Sequence, residues 1–94
     1  MEIILDGAQM TDRASLHDLL ADKFAFPDYY GRNLDALYDM LSAYPVEVFV
    51  TVTHADRLLE NLGRYGSAFL QTLQDVSQAN PKIEISFLNE NNCK

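Results

Sequence analysis

Apolar and polar positions change period several times along the chain, and each change marks an element. Glu2–Leu5 (EIIL) reads as a short strand closed by the turn signal Asp6-Gly7. Thr11 or Asp12 can cap the next segment, where Leu16, Leu19, Leu20 and Phe24 form a helical stripe. Pro27 disfavours helical backbone at Phe26 and predicts a stop there. From Leu34, apolar residues fall at Leu34, Leu37, Tyr38 and Leu41, the i, i+3, i+4, i+7 pattern of one buried helix face. Asn33 is the expected cap, the helix should end near Ala43, and Leu34, Leu37 and Leu41 should be buried.

The period then shortens to two. Val46, Val48, Val50 and Val52 face one way and Glu47, Phe49 and Thr51 the other, predicting a strand over residues 46–52. Thr53 and Asp56 make a weak capping box. Leu58, Leu59 and Leu62 form a short helical stripe that Gly63 is placed to end. Gly66 or Ser67 can start another helix, with Phe69, Leu70, Leu73, Val76 and Ser77 on one face and Asp75 off it. Asn80-Pro81 breaks that helix. Ile83, Ile85 and Phe87 then alternate with Glu84, Ser86 and Leu88 in a last strand, and Asn89–Lys94 reads as a frayed tail.

The order is therefore β-αα-β-αα-β. Connections of roughly 30–40 residues between strands are long enough to cross over and return parallel. The second and third strands each have one apolar and one mixed face, which predicts helices mainly on one side. The expected fold class is α/β: two layers, a three-stranded parallel sheet backed by about four helices. Residues 1–94 form one expected domain, without repeat, linker or low-complexity segment.

Composition narrows the functions. The chain has 94 residues, 48% of them hydrophobic, enough for a core. Its formal net charge of −7 argues against direct binding to nucleic acid or an anionic membrane, and makes a basic protein the natural complement. The single cysteine, Cys93, excludes an intramolecular disulfide, which fits a reducing cytoplasm. MEIILDGAQM lacks the basic and apolar regions of a signal peptide, and no run of about 18 apolar residues predicts a membrane span.

Catalytic chemistry is sparse. His17 falls at the edge of the first helix and His54 at the start of the third, each expected as a surface or supporting residue. There is no Gly-rich phosphate loop, nucleophile elbow or H-x-x-x-H pair, so neither enzyme, cofactor nor metal is expected. Asp35 and Asp39, at i and i+4, share one flank of the central helix beside Tyr38. The flank is open to two readings: a solvated acidic face, or a surface presenting negative charge to a cationic partner. Tyr29, Tyr30, Tyr38 and Tyr44 lie close in sequence and could anchor such an interface.

The central stretch carries a longer motif. From Pro27 to Leu41 the chain reads P-x-Y-Y-G-x-N-L-D-A-L-x-D-x-L. This resembles the barstar family, small intracellular inhibitors of secreted bacterial ribonucleases. Outside the motif the resemblance rests on element order and apolar pattern, and it implies three parallel strands backed by helices. It also implies a contact surface of Tyr29, Asp35, Tyr38, Asp39, Ala43, Tyr44 and Asp75. Asp39 would be the main phosphate mimic in a basic ribonuclease active site. Asp35 would accept from donors at the cleft rim, Tyr29 would stack on the partner, and Asp75 would add an acidic contact.

The rim departs from the family pattern. Tryptophans are replaced by Tyr38 and Tyr44, glycine by Ala43, and glutamates by Asp75 and Ala79. A barnase-like ribonuclease, a divergent one and another basic toxin all remain open as partners, because rims help to set specificity. So do two other readings: a binding module for a non-nuclease protein, and an enzyme using the two aspartates. The last requires one carboxyl held protonated in a desolvated pocket.

Overall fold

The computed structural model describes residues 1–88, in the order β1 (Glu2–Asp6), a single 3-10 turn (Gly7–Gln9), α1 (Arg13–Phe24), α2 (Leu34–Ser42), β2 (Val48–Thr53), α3 (Ala55–Leu62), α4 (Arg64–Ala79) and β3 (Ile83–Leu88). The tail expected at 89–94, with Cys93, lies outside the described residues.

The three strands form one parallel sheet in the order β1-β2-β3. The register aligns Ile3, Val50 and Ile85 in one row and Leu5, Val52 and Phe87 in the next. Side chains of these rows point to the helices, because alternate residues of a strand share a face. Ile4, Phe49 and Leu88 lie on the other face and are exposed. The fold is thus a two-layer α/β arrangement, as the one-sided strand pattern predicts.

The core lies between the sheet and the helices. Leu5, Leu16, Leu20, Leu37, Val52, Phe69 and Leu73 are fully buried there. Full burial of such side chains is worth about 1.5–3 kcal/mol each, set against the entropy of ordering them. Two glycines let elements approach. A Cβ on Gly7 would lie 2.4 Å from the His54 carbonyl oxygen, and one on Gly66 would lie 2.9 Å from Leu58 Cδ2. The second contact sets the close packing of α3 on α4.

Several boundaries differ from the sequence expectation. α1 ends at Phe24, before Pro27 can act, because Ala25 takes the left-handed conformation (φ 55°). Ala25 N–H then bonds Asp22 and Ala21, and Phe26 N–H donates to the Ala21 carbonyl at 3.0 Å, closing the helix end. β2 begins at Val48 rather than Val46, since ladder pairing starts where Val48 N–H donates to Lys82 O at 2.9 Å. Val46 has no ladder partner and is exposed. Thr53 does not cap α3; His54 stands at that position in a left-handed conformation. α4 starts at Arg64, ahead of Gly66, so Gly63 (φ 56°) is at once the end of α3 and the cap of α4. Leu34 is half-buried, while Leu37 and Leu41 are fully buried.

Candidate functional site

The loop before α2 is built from local bonds. Tyr30 N–H donates to the Pro27 carbonyl at 3.0 Å, making a tight turn. Asn33 Nδ2 donates to the Gly31 carbonyl, and Asn33 Oδ1 accepts from Ala36 N–H at 2.7 Å. Asn33 therefore caps α2 and ties it to the loop, as the sequence predicts. Arg32, left-handed at φ 57°, reaches back to Asp18 on α1.

The loop splits its two tyrosines. Tyr29 is 82% exposed, whereas Tyr30 is buried, its ring 4.7 Å from that of Phe26. Behind Tyr30 stands His17, only 2% exposed, with Nδ1 2.7 Å from the Tyr30 hydroxyl and Nε2 2.8 Å from that of Tyr65. Burial pushes the His17 pKa below its ordinary value, and the nearby Arg32 cation adds to this. Burial pushes the Tyr30 hydroxyl well above the ordinary tyrosine range, helped by Tyr65. Tyr65 is also raised by burial, with the Arg13 cation pulling the other way.

Asp35 stands in the first turn of α2, where the helix dipole favours an anion, and Asp39 follows one turn on. Both are exposed, and among the described residues neither carboxylate has a hydrogen-bond or ion-pair partner. They lack the desolvated pocket that an acid–base pair needs. Tyr38 stands 37% exposed on the same helix. Ala43 ends the helix as an exposed cap.

Tyr44 and Asp75 are placed differently. Tyr44 is half-buried; its hydroxyl donates to the Phe24 carbonyl at 3.1 Å and its ring packs edge-on against Phe24. Asp75 is exposed on α4, which packs against α2, and accepts from Gln71 Nε2 at 3.1 Å. Tyr29, Asp35, Tyr38, Asp39 and Ala43 thus lie on one continuous stretch of loop and helix. Asp75 comes from the neighbouring helix, and Tyr44 has its polar tip turned inward.

Three supporting residues escape a reading of the sequence alone. His17 is interior rather than an edge residue of α1; a signal was present, since His17, Leu20 and Phe24 share a helical stripe. Tyr65 carries no local mark. Asn80 was legible only as a helix breaker, yet it is 6% exposed and Nδ2 donates to the Leu41 and Tyr44 carbonyls. No helix among the described residues is long and apolar enough to cross a membrane.

Comparison with known proteins bears on the same stretch. A protein from Bacillus subtilis (strain 168), named "Putative ribonuclease inhibitor YrdF", is 40% identical over 79 residues, spanning 82% of this chain and 86% of that protein. A family model described as "Barstar (barnase inhibitor)" matches residues 1–89, a span that takes in the sheet, the capped helix and the aromatic loop. With three parallel strands, one-sided helices and that match, the chain belongs to the barstar family.

Proposed function

We infer that this protein is a stoichiometric inhibitor of a basic secreted ribonuclease, acting in the cytoplasm through the Asp35/Asp39 helix. The observation that carries the reading is the pair of exposed, unpartnered carboxylates on one flank of α2, the helix that also carries Tyr38 and follows the loop of the exposed Tyr29. Family membership and the inhibitor-named relative support it.

The mechanism is occupation rather than chemistry. A ribonuclease cleft gathers cations and N–H donors to hold phosphates. Carboxylates entering that cleft accept charge-assisted hydrogen bonds from the same groups and exclude RNA. Asp39 is the central phosphate mimic, and Asp35, near the capped start of the helix, meets donors at the cleft rim. Tyr29 stacks on the partner surface, Tyr38 and Ala43 border the contact, and Asp75 extends the acidic field from α4. Tyr44 contributes its ring edge and holds the end of α1 behind the surface. The net charge of −7 steers association with a cationic partner.

The test is co-expression with candidate basic ribonucleases, then binding kinetics with the partner rescued. Asp39→Ala should speed dissociation and cost about 2–5 kcal/mol of affinity, because truncation strands the facing cation. Unchanged binding and inhibition by Asp39→Ala would reject the phosphate-mimic role. Capture of a non-nuclease protein, with no ribonuclease inhibited, would replace the reading with that of a binding module.

A further inference from the structure

We propose that the outer edge of β3 is a self-association surface, on which a second copy of this chain pairs antiparallel about Ser86. The inference is independent of the inhibitor reading.

The helix layer covers β1 and β2 but stops short at β3. In the row Leu5, Val52, Phe87 the first two side chains are fully buried, whereas Phe87 is 42% exposed. In the next row Ile3 and Val50 are buried and Ile85 is half-buried. Ile85 and Phe87 therefore form an apolar ledge beside the edge of the sheet.

The backbone at that edge is unpaired. Val48 N–H donates to the Lys82 carbonyl at 2.9 Å, which sets the phase of the evenly spaced parallel ladder. Glu84, Ser86 and Leu88 thus turn their backbone groups to β2, while Ile83, Ile85 and Phe87 turn theirs outward. The Ile83 N–H is taken by the Asn80 carbonyl at 3.0 Å. Among the described residues, the N–H and C=O groups of Ile85 and Phe87 have no partner. The strand, IEISFL, has none of the proline, lysine or arginine that commonly guard an edge.

A second copy fits this edge in one register. Antiparallel pairing about a two-fold axis at Ser86 sets Ile85 opposite the partner's Phe87, and Phe87 opposite the partner's Ile85. These pairs exchange all the outward N–H and C=O groups just named. Both ledges then lie on the same side of the joined sheet and pack apolar on apolar. On the other face Glu84 meets the partner's Leu88. The two Glu84 residues stand at opposite ends of the paired segment, roughly 14 Å apart, more than a Debye length in physiological salt. The edge of β1 fails the same test. Pairing it with its copy about Ile4 sets Glu2 opposite the partner's Asp6, a repulsive pair. Ile3 and Leu5 are already buried, so no apolar surface on the helix side is gained there. The net charge of −7 on each copy opposes association, so the dimer should strengthen with salt, whereas binding of a cationic partner should weaken.

Analytical ultracentrifugation of the full chain, over a range of protein concentrations and at two salt concentrations, reads the association. The wild type should pass from monomer to dimer, at lower protein concentration in the higher salt. Phe87→Lys places a charge on the exposed ledge and should shift the midpoint upward by roughly tenfold or more. Disulfide capture in a Cys93→Ser background reads the register. Ser86 faces its own copy across a pair without hydrogen bonds, with Cα atoms about 4.5 Å apart, within disulfide reach. With oxidised glutathione as oxidant, Ser86→Cys should cross-link many-fold faster than Glu84→Cys. A wild type that stays monomeric at millimolar concentration and high salt overturns the proposal. So does a dimer indifferent to Phe87→Lys, or equal cross-linking at the two positions. If Phe87→Lys does not fold, the cross-linking rates decide. A monomer whose Ile85 and Phe87 amides gain exchange protection only when a ribonuclease is added would assign the edge to a foreign strand and overturn self-pairing.

Discussion

Asn80 Nδ2 donates to the Leu41 carbonyl at 2.9 Å, joining the end of α4 to the end of α2 across 39 positions of sequence. The same amide donates to the Tyr44 carbonyl at 3.1 Å, and its Oδ1 accepts from Lys82 N–H at 3.0 Å. One buried side chain thus closes the last turn of the acidic helix, anchors the segment leaving it and shapes the entry to β3. Asn80→Ala should destabilise the fold by about 1–3 kcal/mol, because buried carbonyls lose their donor. Denaturant titration at neutral pH checks this, and a loss within error would mean that water replaces the amide.

Leu37 sits beneath the proposed contact surface, fully buried on the inner face of α2. Leu37→Ala should cost about 2–5 kcal/mol, the transfer loss plus the cavity left behind. A loss below about 1 kcal/mol would show that the helix face can collapse onto the void.

The glycines rank differently from one another. Alanine at Gly7 would press its Cβ on backbone, the His54 carbonyl at 2.4 Å, which cannot move without shifting the start of α3. Alanine at Gly66 meets the end of the Leu58 side chain at 2.9 Å, which can turn aside, and the Leu58 carbonyl and Leu62 Cβ only at 3.2 Å, a milder crowding. Gly7→Ala should therefore lower the unfolding midpoint more than Gly66→Ala. The reverse order, measured side by side, would contradict the packing described.

Stability should fall with acid in two stages of opposite chemistry. His17 has a folded pKa below its unfolded value, so the unfolded chain binds the proton more readily. Its contribution is complete above the ordinary histidine range and is lost as pH falls through that range toward the lower folded value. Asp12, the α1 cap, has its pKa lowered first by the backbone N–H of Ser15 and then by the Ser15 hydroxyl. Its contribution is complete above the ordinary carboxylate range and lost as pH falls below it toward the folded value. His17→Gln should remove the first stage of a stability-against-pH curve and leave the second.

Asp75 and Asp39 should differ in how they affect binding. Asp75 is exposed on α4, at the edge of the proposed contact, so Asp75→Asn should slow association and weaken its salt dependence. Asp39→Ala should act on dissociation and leave folding nearly unchanged, since removing one of two like charges at i, i+4 relieves repulsion. Kinetics at two salt concentrations separate the two effects.

What the sequence by itself determined was local. Alternation in Val48–Val52 and Ile83–Phe87 set the strands, and in β2 the buried face as well; in β3 only Ile83 is fully buried, with Ile85 half-buried and Phe87 exposed. Asn33 set the start of α2, and the i, i+4 spacing set Asp35 and Asp39 on one flank. These follow from short-range sterics, capping and periodicity, which act within a few residues. Tertiary structure decided the rest. The pairing of His17 with Tyr65 spans 48 positions, and that of Asn80 with Leu41 spans 39. Tyr44, expected at the contact surface, spends its hydroxyl on Phe24, 20 positions away. Val46 continues the alternation yet stays outside the sheet, because a strand ends where its neighbours stop pairing. A buried polar side chain must find its partner wherever the packed elements bring one, and no local pattern records which element that will be.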